Sequence, residues 1–110
     1  MTGSGANPWA GEAVLVLDGA EHRCKLTLGA LAELEAALET GTLMELVERF
    51  EGGRFGTRDV LALLVAGLRG GGWQGRAADL LTVEIGGGPV EAARVAAELL
   101  ARAFALPRGS

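Results

Sequence analysis

The stretch from Ala13 to Leu38 changes its hydrophobic period at Thr27. Before Thr27, an apolar run at 13–17 is followed by charged residues at every second position (Glu21, Arg23 and Lys25), which is typical of strands with one buried face. After Thr27, apolar residues recur every three or four positions, which is typical of an amphipathic helix. A chain with this change of period near its N-terminus is expected to form strands that are followed directly by helices. We therefore predict an α+β fold, mainly α, with an N-terminal β-hairpin followed by four or five helices.

The strand pattern divides into two runs, Ala13 to Leu17 and Ala20 to Leu26, joined by Asp18-Gly19. These two joining residues suit a type I′ turn, which requires positive φ at both central positions. Such a turn fixes the register, because a shift of one residue would exchange the two faces of the hairpin. The predicted pairs are Leu17 with Ala20, Val16 with Glu21, Leu15 with His22, Val14 with Arg23, Ala13 with Cys24, and Glu12 with Lys25.

One face of this hairpin is largely apolar, and the other carries Val14 and Val16 among charged residues. An isolated two-stranded hairpin is only marginally stable in water. The hairpin is therefore expected either to lie on the helices or to extend into the sheet of a partner chain, and the sequence leaves both possibilities open.

Helical segments separated mostly by glycine follow the hairpin. Thr27 is a suitable N-cap for the first helix, and Thr42 with Glu45 forms a capping-box pattern for the second. Leu28 and Val90 are assigned to the apolar stripes of the first and last helices. The predicted segments are Thr27 to Gly41, Thr42 to Gly52-Gly53, Thr57 to the triple glycine at 70–72, a short helix from Gln74 to about Thr82, and Gly88 to Pro107. The third segment is apolar over so wide an arc that we expect it to be central.

Charge and length exclude several classes of protein. The net charge of the 110 residues is −4, which argues against a nucleic-acid-binding protein because phosphate contacts need a cationic face. No apolar run is long enough to predict a membrane span, and no secretory signal is recognised. The lone cysteine predicts a reducing, cytoplasmic location.

We expect a flexible lead-in at residues 1–11, a single domain at residues 12–106 and a C-terminal tail at residues 107–110.

The sequence carries little that could catalyse a reaction. His22 and Cys24 lie two residues apart on one strand, but a zinc site needs three or four ligands and no other His or Cys exists. The glycine triplets lack the Gly-Lys pair of a phosphate loop. A helix-turn-helix that presents Arg54 and Arg58 to DNA would need a less apolar third helix. We expect a protein that is not an enzyme, with no cofactor and no metal. A small hydrolase or transferase is the competing hypothesis, which needs a pocket of convergent titratable groups.

Four residues are candidates for contact with a partner protein. Trp9 is a large apolar residue in the flexible lead-in, and it either packs on the body of the protein or is presented to a partner. Val14 and Val16 are the apolar residues of the charged hairpin face, and Trp73 follows the triple glycine. No catalytic, cofactor-binding or metal-binding residue is predicted beside them.

Several segments carry a family resemblance over residues 11–106. The most specific are Leu26-Thr27-Leu28-Gly29-Ala30-Leu31, the run Glu-Arg-Phe-Glu-Gly-Gly-Arg-Phe at 48–55, the helix start Arg58-Asp59-Val60, and Gly67-Leu68-Arg69-Gly70-Gly71-Gly72. With the Ala/Leu-rich C-terminal helix, they resemble a small protein encoded among the tail genes of gene transfer agents and related tailed phages. That family is grouped with tail assembly chaperones and is also labelled tail tube protein.

The resemblance implies a role in assembly. A tail assembly chaperone binds the tape measure protein or tail tube subunits before they polymerise, and it covers their aggregation-prone surfaces in the host cytoplasm. The alternative is a tube or connector component that is retained in the particle. A homo-oligomer is also considered. The family has no catalytic motif, so the resemblance implies no catalytic residue.

Overall fold

The computed structural model describes residues 12–38 and 42–104. In chain order these residues form β1 (Glu12–Leu17), β2 (Ala20–Lys25), α1 (Leu28–Ala37), α2 (Leu43–Glu51), α3 (Thr57–Gly70), α4 (Ala77–Leu80) and α5 (Gly88–Ala103). The predicted α+β fold, mainly α, with an N-terminal hairpin is confirmed. The predicted domain limits stay predictions, since residues 1–11 and 105–110 lie outside the described part of the chain.

The hairpin has the predicted register from Glu12 opposite Lys25 to Leu17 opposite Ala20. Its turn has positive φ at Asp18 (49°) and Gly19 (83°), as a type I′ turn requires. Strand β1 alternates between buried and half-buried residues along its whole length. Its buried side chains belong to the same core as those of the helices, so one face of the hairpin lies on the helices, one of the two possibilities that the sequence left open.

Helix α3 is central, as predicted. It packs against β2, α1, α4 and α5, and Leu63, Leu64 and Leu68 on it are fully buried or nearly so. Helix α5 contributes Val95, Ala96 and Leu99, which are fully buried. The core of the described residues therefore lies between α3, α5 and the inner face of the hairpin, and burial of these aliphatic side chains is its main stabilising term.

The helix starts follow local capping chemistry. The Thr27 hydroxyl accepts a hydrogen bond from the Ala30 N–H at 3.0 Å, and Thr42 and Glu45 form the predicted reciprocal capping box. In helix α3, Gly56 is the N-cap, and Thr57, where the predicted segment begins, is the first helical residue. The acidic half of a capping box is present there, since the Gly56 N–H donates to Asp59 Oδ2 at 2.9 Å.

The chain between α4 and α5 departs from the prediction. Helix α4 is a single turn, Ala77–Leu80, rather than a helix from Gln74 to Thr82. The residues after it pair with the hairpin instead: Leu17 forms an antiparallel bridge with Ile85. The Asp18 N–H donates to the Glu84 carbonyl oxygen at 2.8 Å, and the Gly86 N–H donates to the Val16 carbonyl oxygen at 2.9 Å. This long-range pairing satisfies backbone groups that a longer α4 would have paired locally.

The outer edge of β2 is covered by the end of α3. In a hairpin with this turn, the carbonyls of Arg23 and Lys25 point away from β1. A Cβ added to Gly70 would lie 1.9 Å from the Lys25 carbonyl oxygen, and one added to Gly71 would lie 2.0 Å from the Arg23 carbonyl oxygen. Only glycine permits so close an approach of two backbones. The triple glycine therefore ends α3, as predicted, and also seats α3 against β2.

Two further expectations about the helices are wrong. Leu28 and Val90 were assigned to apolar stripes, but they are 84% and 81% exposed. Both residues lie in the first turn of their helices. Helix α1 also ends earlier than predicted, because Leu38 already has an extended backbone. The predicted stop at Gly41 lies outside the described residues.

Candidate functional site

The His22–Cys24 pair lies at the inner hairpin face. Cys24 is fully buried, and burial raises the pKa of its thiol to about 12 because the thiolate would lose its hydration. His22 is half-buried on the same strand. In residues 12–38 and 42–104, no three His, Cys, Asp or Glu side chains lie close enough together to hold a metal ion. The thiol is thus packed as a small apolar group.

The structure separates the predicted partner-contact residues. Val14 and Val16 are half-buried on β1, whereas Trp73 is half-buried beyond the end of α3, beside Thr27, Gly70 and other residues of the α1–α3 junction. Trp9 lies outside the described residues. Their role as partner contacts therefore stays a prediction, and Trp73 does not share a groove with the two valines.

Val16 lies at the edge of an open groove of about 1000 Å³, which we call the hairpin groove. Its lining comes from the turn end of the hairpin, α3, the segment after α4 and the start of α5. The side chains that line it are largely apolar, and of those in the described part of the chain Glu84 alone is charged. Leu81 on its wall is 71% exposed, so this groove presents apolar surface to solvent.

A second groove of about 830 Å³ follows the other side of α3, and we call it the α3 groove. Its floor includes the half-buried Ala62 and Val65 of α3, and its walls come from Leu34 and Leu38 at α1 and from Ala77 of α4. Leu61 lines both grooves. Helix α3 thus packs against β2, α1, α4 and α5, and an open groove remains along each of two of its sides.

Arginines lie around the α3 groove. At the N-terminal end of α3, Arg49 of α2 pairs with Asp59, with nitrogen–oxygen distances of 3.2 and 2.8 Å. Partial burial alone would raise the pKa of the Asp59 carboxyl. Hydrogen bonds from Arg49 and from the Gly56 N–H, together with the positive charge of Arg49, outweigh that effect and hold the pKa below its ordinary value. This pair connects α2 to the start of α3.

At the C-terminal end of α3, Arg69 connects three segments. Its Nε donates to Glu33 Oε1 of α1 at 3.0 Å, and its Nη1 donates to the Gly75 carbonyl oxygen at 3.2 Å. Arg58 and Arg76 are exposed and complete the set. Among the described residues that line this groove, the charged ones are four arginines and two carboxylates, Glu33 and Asp59. These six side chains sum to a formal charge of +2 on a chain whose net charge is −4.

Sequence reasoning did not find this cationic groove. Its four arginines are Arg49, Arg58, Arg69 and Arg76, and they come from α2, from both ends of α3 and from the turn before α4. Arg58 was considered only as part of a helix-turn-helix and as part of the helix start that carries the family resemblance, not as part of a groove. Only the packing of three helices brings these residues to one groove.

A comparison with family models decides the family. The model of "Phage tail tube protein, GTA-gp10" matches residues 10–106, which is nearly the whole chain. The chain belongs to this phage tail family. No curated protein and no solved structure matches it. The resemblance to a gene transfer agent and phage tail family is therefore confirmed.

Membership in the GTA-gp10 family gives the function at a coarse level. The chain is a tail-related protein of a phage-like gene transfer agent, and other tail proteins are its expected class of partner. Among the described helices, none is long and apolar enough to cross a membrane. The family description does not separate an assembly factor from a tube component, so that choice depends on the geometry of the chain itself.

Proposed function

We propose that this GTA-gp10 protein is a non-enzymatic tail assembly chaperone. In this proposal it acts in the cytoplasm of the bacterial host and binds the tape measure protein or the tail tube protein during tail morphogenesis. The observation that carries the proposal is the pair of open grooves along two sides of α3, each with apolar side chains in its lining. Such grooves suit a protein that covers an apolar segment of another chain until that segment is assembled.

The sheet supports a chaperone rather than a tube subunit. Strand pairing between subunits needs free strand edges, and among the described residues the sheet has only two strands. The outer edge of β2 is packed against Gly70 and Gly71. The edge of β1 near its turn is occupied by the Leu17–Ile85 bridge and its flanking hydrogen bonds. Little edge is left for a continuous sheet between subunits.

The alternative function is a tube or connector component retained in the particle. The family description, which names a tail tube protein, favours it. The half-buried Val14 offers this alternative a contact point, because its backbone groups on β1 lie outside the segment that pairs with Ile85. A subunit that adds a strand at Val14 would extend the sheet into a partner chain.

Quantitative mass spectrometry of purified particles and of assembling cells distinguishes the two functions. If the chain is a chaperone, it co-purifies with the tape measure or tube protein from assembling cells and is absent from finished particles. The major capsid protein serves as the internal standard for copy number. Many copies of the chain per particle would overturn the chaperone proposal and establish the structural role.

A further inference from the structure

The hairpin groove lies at the N-terminal ends of α3 and α5, which pack against each other. One wall is a single face of α3, formed by Thr57, Val60, Leu61 and Leu64. These residues follow the spacing of one helical face, so the wall is about 10 Å long, or two helical turns. On α5, the small residues Ala92 and Ala93 line the groove. Helices pack at about 8–10 Å, closest where side chains are small, so a helix of two turns fits this groove.

An extended segment would find the nearest strand edge already occupied. Val16 lines the groove, but its carbonyl oxygen accepts the Gly86 N–H at 2.9 Å. Its neighbour Leu17 forms the bridge with Ile85. A helix pairs its own backbone groups and needs only side-chain contacts with its binding site. The groove therefore favours a helix over a strand as its occupant.

The charge at the hairpin side of this groove is negative. Glu84 lines the groove, and Glu21 is the cross-strand partner of Val16, which places their Cβ atoms about 5 Å apart. Both glutamates are exposed, and neither forms an ion pair within residues 12–38 and 42–104. The Asp18 carboxylate, which accepts the Glu84 N–H at 2.9 Å, adds a third negative charge at the turn.

Three arginines are adjacent in sequence to lining residues, and each lies elsewhere. The Arg54 guanidinium lies against Gly52 at the end of α2, and Arg58 lines the α3 groove. Arg94 pairs with two glutamates of its own helix. An incoming helix with lysine or arginine beside its apolar stripe would therefore gain favourable contacts at the rim, whereas an acidic helix would meet like charges.

Three segments of this chain lie outside the described residues, and none supplies such a helix to its own groove. Residues 1–11 and 39–41 contain no Lys or Arg. Residues 39–41, Glu-Thr-Gly, also carry no large apolar side chain, and they join α1 to α2, whose described residues do not line this groove. Residues 105–110 contain Arg108 but follow α5. Ala93 lies eleven residues before Phe104, about 16 Å along the helix, whereas Arg108 reaches at most about 13 Å from Phe104.

The described helices of a second copy do not match the groove either. The exposed charged residues of α1 and α2, which carry the exposed Leu28 and Met44, are all glutamates. On α5, the exposed Val90 lies one turn from Arg94, which is already paired. The chemistry of the groove therefore calls for a helix from a different protein.

We propose that the hairpin groove binds a basic amphipathic helix of about two turns from another protein. This inference rests on the proposed function in one respect: the helix belongs to the tail protein that the chain accompanies. The apolar stripe of that helix lies between the α3 wall and the small residues Ala92 and Ala93, and its lysines or arginines lie near Glu84 and Glu21. It adds a site and a partner chemistry that membership of the family does not give.

The test is a direct binding titration of the full chain with three fluorescent, end-capped peptides of about 11 residues. The first has leucines at helical spacing with lysines beside them. The second has glutamate in place of every lysine, and the third keeps the lysines and has serine in place of every leucine. At about 0.15 M salt we expect saturable binding of the leucine–lysine peptide and at least about tenfold weaker binding of the other two. Equal binding of the leucine–lysine peptide and either other peptide, or no saturable binding of it, would overturn the inference.

A pair of variants on α5 locates the binding. Ala93→Gln adds bulk to the lining of the groove and should weaken binding about tenfold or more. Ala97→Gln is the matched control, because Ala97 is exposed one turn further along the same helix and does not line the groove. It has the same helix propensity change, and it should bind as the wild type does. Equal binding by both variants would place the peptide elsewhere and overturn the inference.

A second pair of variants tests the charge. Glu21→Lys together with Glu84→Lys should abolish the preference for the leucine–lysine over the leucine–glutamate peptide. Glu35→Lys together with Glu48→Lys makes the same change of net charge at exposed positions of α1 and α2, and it should keep the preference. Loss of the preference in both double variants would mean that the overall charge of the chain attracts the lysines, which would overturn the inference.

Two further measurements complete the test. Thermal unfolding by circular dichroism identifies a variant that fails to fold, and the charge variants then carry the test because all their residues are exposed. Sedimentation at several concentrations examines a second copy as occupant: a dimer broken by Ala93→Gln would overturn the inference. The outcome is separable from that of the proposed function. A chain found in finished particles that binds the leucine–lysine peptide disproves the chaperone alone, and a chaperone that does not bind it disproves this inference alone.

Discussion

Replacement of Gly70 by alanine tests how the helical layer is joined to the hairpin. The new Cβ would lie 1.9 Å from the Lys25 carbonyl oxygen, 3.1 Å from the Lys25 carbonyl carbon and 3.3 Å from the Ala30 Cβ. Real Cβ atoms essentially never come closer than 3.0 Å to another heavy atom, so α3 and β2 must separate by about 1.1 Å at this point. The atoms in conflict belong to backbone on the strand side, so no rotamer change relieves the contact.

The magnitude follows from two opposing terms. Forcing an extra methyl group into a packed site costs typically about 1–3 kcal/mol and more where the surroundings cannot relax. The gain in helix propensity from glycine to alanine is at most about 1 kcal/mol, and it is smaller at the last residue of a helix. We expect Gly70→Ala to lower the free energy of unfolding by about 3 kcal/mol. For a domain near this size that corresponds to a melting temperature lower by roughly 12–20 °C.

Urea denaturation followed by far-UV circular dichroism measures this free energy directly. Gly29→Ala is the matched control, because a Cβ there meets nothing closer than the Thr27 hydroxyl at 3.9 Å and the backbone is helical. We expect that control to be neutral or more stable by about 0.5 kcal/mol. If Gly70→Ala unfolds within 1 kcal/mol of the wild type, the close backbone approach does not exist and the argument for a covered β2 edge fails.

Three further predictions concern the core and the α3 groove. Leu99→Ala should destabilise the protein by about 2–5 kcal/mol, because Leu99 is fully buried and its Cδ1 occupies the space beside Gly67; equilibrium unfolding measures the loss. Asp59→Asn should cost about 1 kcal/mol at neutral pH, and the difference from the wild type should shrink as pH falls below 3.8, the ordinary carboxyl pKa, through the lowered folded-state pKa. Unfolding curves at several pH values test this, and a difference that grows on acidification would contradict it. Cys24, buried with its pKa raised to about 12, should resist an aromatic disulfide reagent in the native state and react after unfolding; rapid native labelling would refute its burial.

The candidate site shows where sequence reasoning stops. Val16 could be selected from the sequence, because it stands out as an apolar residue on a charged hairpin face, and it does line a groove. The α3 groove could not be identified from the sequence as a candidate site. Its floor residues Ala62 and Val65 read as part of a wide apolar arc, and nothing local tells which side of such a helix stays uncovered. The arginines around it are distant from one another in the chain.

What the sequence by itself determined is local. The type I′ turn at Asp18-Gly19, the hairpin register and the caps at Thr27 and Thr42 depend on backbone angles and hydrogen bonds within a few residues, and all were predicted. The tertiary structure alone decided the pairing of Ile85 with Leu17, sixty-eight residues apart, which shortened α4 to one turn. It also decided the approach of Gly70 to β2 and the open sides of α3. The physical reason is that local energies differ by tenths of a kcal/mol between alternative conformations, so contacts between distant segments choose among them.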